Sequence, residues 1–215
     1  MALMIYPLAA IFDRLPISGF ELDIKRNDEL SGQGSGALLG VELAPPLWTA
    51  TITLGDARNN ELKQAAALIR ALGGLRDAFM VCDPTSLFPQ ADFKGAALGA
   101  STIHVRTVGA DRSVAQLSGF PAGYVMTVGD KLQITDGALL SYHEVRATVA
   151  ANGAGAMNLP VFPMLPFSLT TNAVVTLIRP AFAAIVSPGG HKPGTASSAL
   201  TRGAQIEIIQ KRKPS

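Results

Sequence analysis

Three histidines, one cysteine and a scatter of carboxylates are the groups in this 215-residue sequence that could perform acid–base, nucleophilic or metal chemistry. His104, His143 and His191 are far apart in the chain, and none has the HxH or HExxH spacing that puts two ligands on one face. His143 and Glu144 are adjacent within a strand-like run, so their side chains point to opposite faces and cannot act directly on one atom. Asp111 and Asp130 share no motif, and Gly129-Asp130 reads as a turn. The run Gly32-Gln33-Gly34-Ser35-Gly36 invites comparison with phosphate-binding loops. There is, however, no G-x-x-x-x-G-K-[ST], no G-x-G-x-x-G opening a helix and no G-x-S-x-G. Cys82 ends an apolar run with no base nearby in sequence, which predicts a buried, inert thiol, and a lone cysteine leaves neither an internal disulfide nor a Cys-based zinc site. Nothing here demands catalysis. No catalytic, cofactor-binding or metal-ligating residue is assigned, the receptor-binding positions are unknown, and the expectation is a non-enzyme without cofactor.

These groups must sit on a scaffold whose composition is itself informative. Hydrophobic residues make up 48% of the chain and charged residues only 16%, with 21 glycines and 14 prolines. Such a chain is turn-rich, buries a substantial core and carries little charged surface, which suggests that partners cover part of it. A formal charge of +2 is too small for a phosphate-tracking field, so no nucleic-acid specificity is expected. The one basic run, Lys211-Arg212-Lys213, reads as a solvated tail or as a contact with an acidic neighbouring subunit. Residues 1–12 are apolar but lack a basic start, are broken by Pro7 and fall short of the roughly 20 residues a membrane span needs. They read as an arm on the protein's own core or on a neighbouring copy, and no membrane span is expected.

Alternation of apolar and polar residues predicts strands at 20–25, 39–43, 48–54 and 78–82, with Phe20, Leu22 and Ile24 on one face and Glu21, Asp23 and Lys25 on the other. Residues 27–36 are expected to form a mobile loop, and Pro45-Pro46 to stop pairing. Leu62, Ala65, Ala66, Ile69 and Leu72 recur at helical spacing, with Asp56 or Asn59 as cap and Gly73-Gly74 as stop. A boundary falls near residue 100. Beyond it only strands are expected, at 102–108, 114–117, 130–135, 139–150, 158–161, 173–178, 182–186 and 205–210, in a small barrel or sandwich. Trp48, Phe79, Phe162 and Phe167 are expected in core packing.

The order of these features resembles the distal tail proteins of long-tailed bacteriophages and gene transfer agents. In the first part the resemblance rests on Leu47-Trp48-Thr49-Ala50-Thr51-Ile52-Thr53-Leu54, the helix ending Leu72-Gly73-Gly74, then Ala78-Phe79-Met80-Val81-Cys82-Asp83-Pro84 and Pro89. In the second it rests on Gln116-Leu117-Ser118-Gly119-Phe120-Pro121, Val128-Gly129-Asp130-Lys131-Leu132-Gln133-Ile134, Tyr142-His143-Glu144-Val145 and Leu159-Pro160-Val161-Phe162-Pro163. The resemblance implies a mainly β, α+β chain: a belt-like β-sandwich plus helix from residues 1–100 with 181–215, and an inserted small OB-like β-barrel at 101–180.

It further implies a virion structural protein of the tail tip, made in the bacterial cytoplasm, forming a homo-oligomeric and usually hexameric ring. The ring's partners would be the tail tube protein, the tail hub protein and tail fibres or receptor-binding proteins. Three other readings remain open. A carbohydrate-binding β-module would need exposed aromatics on a sheet face, though Trp48, Tyr6, Tyr124 and Tyr142 are few. A hydrolase would need His143 or His104 to meet a carboxylate in a pocket. A tube or completion protein of the same tail is the third.

Overall fold

The computed structural model describes residues 4–32 and 38–212. It is a β-rich α+β fold in which strands dominate, one α-helix interrupts the first third and six strands close into a small barrel. In chain order, β1 (Ile5–Tyr6), β2 (Ile17–Gly32), β3 (Leu38–Leu54), β4 (Ala57–Arg58), α1 (Asn59–Arg70) and β5 (Ala78–Cys82) come first. Then follow β6 (Ile103–Val108), β7 (Val114–Ser118), β8 (Val125–Met126), β9 (Lys131–Asp136), β10 (Leu139–Val145), β11 (Val149–Ala150), β12 (Ala156–Phe162) and β13 (Val174–Thr176). The chain closes with β14 (Ala181–Lys192), β15 (Thr195–Ser197), β16 (Leu200–Arg202) and β17 (Gln205–Gln210).

The first sheet has the order β1-β5-β14-β17-β3-β2, parallel between β1 and β5 and antiparallel elsewhere. Its register follows from alternation. Trp48, Ala50, Ile52 and Leu54 of β3 are buried, and opposite them on β2 lie Ile24, Leu22 and Phe20, while the threonines between them and Glu21, Asp23 and Lys25 face outward. Ile11, Phe12 and Leu15 pack on this core with Leu62, Ala65 and Ile69 of α1. The apolar N-terminal stretch, from Ile5 on, thus lies on the protein's own core, where β1 pairs with β5.

Three local expectations are corrected. Residues 27–32 are not a loop but continue β2 and pair with β3 as far as Gly32↔Leu38. A ladder needs only backbone groups, so small polar residues do not prevent it. Residues 33–36 of the expected loop lie outside the described residues. Pro45-Pro46 does not divide β3, because register shifts between Lys25 and Asp28 on the partner strand absorb the missing N–H groups in a bulge. Neither Asp56 nor Asn59 caps α1: Asp56 pairs with Arg202 at 3.2 Å. Asn59 is the first helical residue and its amide bridges to a neighbouring loop instead, donating to Ser198 O and accepting from the Thr201 hydroxyl, both at 2.8 Å. The helix ends at Arg70 with Ala71 as its C-cap, short of the expected Gly73-Gly74 stop, and Gly74 turns the chain three residues later at φ +64°. Asn59→Ala is expected to cost about 1 kcal/mol by removing both bonds, read as a lowered denaturation midpoint.

The barrel has the cyclic order β10-β12-β7-β6-β13-β9, filled by side chains such as Val105, Leu117, Leu132, Ile134, Leu159 and Val161. The expected strand 139–150 is two strands: β10 stays in the barrel and β11 leaves it to pair with β8. Gly119, at φ +102°, lets the chain pass so close to β6 that a Cβ would lie 2.2 Å from the Thr102 carbonyl oxygen. Two hydrophobic cores result. One draws on residues between 11 and 82 and between 181 and 208, and the other on residues between 98 and 177. Tyr142 is the exception, a β10 residue buried in the first core.

Candidate functional site

The residues singled out for chemistry end up in structural roles. His143 is fully buried, with Nδ1–H donating to Pro163 O at 2.7 Å and Nε2 accepting from the Ser141 hydroxyl at 2.9 Å. Both ring nitrogens are satisfied in one neutral tautomer, and burial pushes the imidazole down to about 4. Glu144, on the opposite face, pairs with Lys131. His104 Nδ1 lies 3.2 Å from Asn172 O, and His191 is half-buried on β14 opposite Ile206 of β17, its basicity lowered by burial and by Arg70. Neither His104 nor His143 meets a carboxylate among the described residues.

The carboxylates act as clamps on backbone. Asp130, fully buried, accepts from the N–H of Gln90 at 2.9 Å and of Thr127 at 2.7 Å. Asp111 caps its own turn through the N–H and hydroxyl of Ser113. A third clamp, Asp92, carried no sequence signal. Burial would raise its pKa, yet the N–H groups of Ala97 and Leu98 and the Tyr124 hydroxyl hold it below the usual carboxylate range. Cys82 is buried and burial raises its thiol, although folding brings Arg179 Nη2 within 3.9 Å of Sγ. That guanidinium is engaged by Asp13 at 2.6 Å. No group of three His, Cys, Asp or Glu side chains among the described residues could hold a metal ion. No helix among them is long and apolar enough to cross a membrane.

The aromatic residues divide in two. Trp48, Phe79, Tyr124 and Tyr142 are buried, and Tyr6 packs half-buried on the first core, so these tryptophan and tyrosine rings form no open platform. Trp48 meets Tyr142 edge-on at 5.6 Å between centroids and donates its indole N–H to Tyr142 O at 3.0 Å, and Tyr142 meets Phe182 at 5.1 Å. This cluster joins β10 of the barrel to β3 and β14 of the first sheet. Phe167, expected in a core, is instead 92% exposed.

The exposed features that remain are apolar and basic. Residues 28–32 and 38–45 form a two-stranded ribbon exposed along its whole length. Leu30, Leu38, Leu39, Val41 and Leu43 on it are 54 to 74% exposed. A two-stranded ribbon has no core of its own, and a row of exposed aliphatics on it is uncommon on the surface of a monomer. β2 is also the outer strand of its sheet, a long edge with backbone groups available for pairing.

At the root of this ribbon, where it meets the barrel, two cavities of about 330 and 630 Å³ share Pro45, Pro166, Phe167 and Arg212 and so form one groove. Arg26 lies over the Phe162 ring at 5.4 Å and Arg112 over Phe167 at 4.8 Å, with Arg112 Nε also donating to Leu165 O at 2.8 Å. Arg212 is therefore no solvated tail. Burial lowers its pKa against the raising effect of Glu42, and its Nε has no hydrogen-bond partner among the described residues. Lys211 beside it donates to Leu75 O, and Lys213 lies outside the described residues. No protein-family model matches the chain, and no curated protein matches it.

Proposed function

We propose that this chain is a structural, ring-forming subunit of a phage tail tip, of the kind the distal tail proteins represent, and that it acts through geometry rather than catalysis. In this reading the part formed by residues 1–100 with 181–215 builds the ring, and the barrel at 101–180 faces outward as attachment surface. The ring would join the tail tube protein to the hub and to fibres or receptor-binding proteins. The observation that carries the proposal is the projecting β2–β3 ribbon, with five large aliphatic side chains in solvent on a chain with only 16% charged residues. A closed ring supplies every copy with a neighbour and hides such surfaces and long sheet edges together. The buried His143, clamped carboxylates and engaged arginine near Cys82 are consistent with a scaffold.

Light scattering on the purified protein over a range of concentrations, with negative-stain images of the same sample, is expected to give rings with a central opening. Replacing residues 28–42 by a two-residue Asn-Gly turn is expected to give a folded monomer. It should still melt in one cooperative transition, since the side chains of 28–32 and 38–42 bury nothing in the chain's own cores. A native chain that is monomeric at every concentration, or a shortened one that still forms rings, would count against the reading.

A further inference from the structure

Resting on the ring-forming reading, we propose that the arginine-lined groove beside the barrel is the docking site for the β2–β3 ribbon of a second copy of this chain, so that copies join head to tail. The groove gathers Arg26, Arg112, Arg146 and Arg212 against Glu42 and Asp111, over an apolar lining that includes Phe162, Met164 and Phe167. None of the four arginines is in an ion pair among the described residues. Two of the guanidiniums are stacked on phenylalanine rings, which holds their orientation and spares a ligand part of the ordering entropy. Met164 and Phe167 on its rim are 62% and 92% exposed. Such a site suits a segment that is acidic at one point and aliphatic along the rest.

The ribbon has that chemistry. Asp28 and Glu29 stand at its root and leucines lead to its tip on both faces. Asp28 is paired directly across from Glu42, which lines the chain's own groove and favours the charged form of its Arg212, so Glu29, on the other face of the strand, is the acidic group left for the guanidiniums of a neighbour. The ribbon cannot serve its own groove. Glu42 already lines the groove, and from there the ladder runs away for about 14 Å to Gly32. The two surfaces are different patches of one chain, so their contact is heterologous and propagates from copy to copy until a rotation closes it into a ring.

Two variants test this, each damaging one surface. The groove variant is Arg146→Glu with Phe167→Asp, two side chains without hydrogen bonds among the described residues. The ribbon variant is Glu29→Lys with Val41→Ser. Circular dichroism should match the native chain and melting should remain one cooperative transition, at a lower temperature where the native ring is lost, which shows that both fold. Each variant alone is expected to be monomeric by light scattering where the native chain forms rings. An equimolar mixture is expected to give 1:1 dimers and nothing larger, because one intact ribbon and one intact groove remain. Rings from the groove variant would overturn the docking site while leaving the ring reading in place. A mixture that stays monomeric would overturn the head-to-tail pairing, and a native chain that never associates would overturn both readings.

Discussion

Tyr142→Ala is expected to lower stability by about 3 to 5 kcal/mol, a drop in melting temperature of about 10 °C, whereas Tyr142→Phe leaves stability unchanged or raises it. The ring of Tyr142 is fully buried between Trp48 and Phe182, so alanine opens a cavity at the place where the barrel and the first sheet meet. The hydroxyl, in contrast, finds no partner among the described residues, and burial pushes its pKa upward. Removing an unpaired buried hydroxyl relieves a desolvation cost, while removing the ring forfeits packing. Calorimetry on the two variants separates these effects. Similar losses for both would show that the hydroxyl is paired, and a negligible loss for alanine would show that the junction does not hold the two cores together.

Acid is expected to destabilise the protein through His143. An unfolded histidine titrates near 6.5 and the buried one at about 4, so the folded state requires the neutral ring. A depressed folded pKa contributes stability that is fully present above the unfolded value and is lost as pH falls from about 6.5 towards 4. The whole contribution is about 3 kcal/mol, of which about 2 kcal/mol is gone by pH 5. His143→Gln is expected to be less stable at pH 7.5, having lost the shape of the ring, but to show a shallower fall in unfolding free energy between pH 6.5 and 4.5. Denaturant titrations at several pH values read this directly. Equal slopes for native and variant chains would place the acid sensitivity elsewhere.

Alternation along 20–25 and 48–54, helical spacing from Leu62 to Ile69, and the turn residues beyond residue 100 determined the mainly β chain, the helix after β3 and a small barrel or sandwich, and the tertiary structure decided for the barrel. Period and turn chemistry are local, and a buried face repeats at the interval its element imposes. His143 and Glu144 could likewise be assigned to opposite faces from their adjacency alone. What contacts those faces make was not readable. Asp28 opposite Glu42, Arg179 beside Cys82, Asp92 under Tyr124 and four arginines around Phe162 and Phe167 all depend on residues distant in the chain. The tertiary structure alone decided that residues 27–32 pair as strand, because ladder hydrogen bonds belong to the backbone and small polar side chains carry no mark of them. It alone decided that Phe167 faces solvent and Tyr142 crosses into the other core. A side chain's hydrophobicity sets the free energy gained by covering it, while the packing of distant strands sets whether the chain itself does the covering.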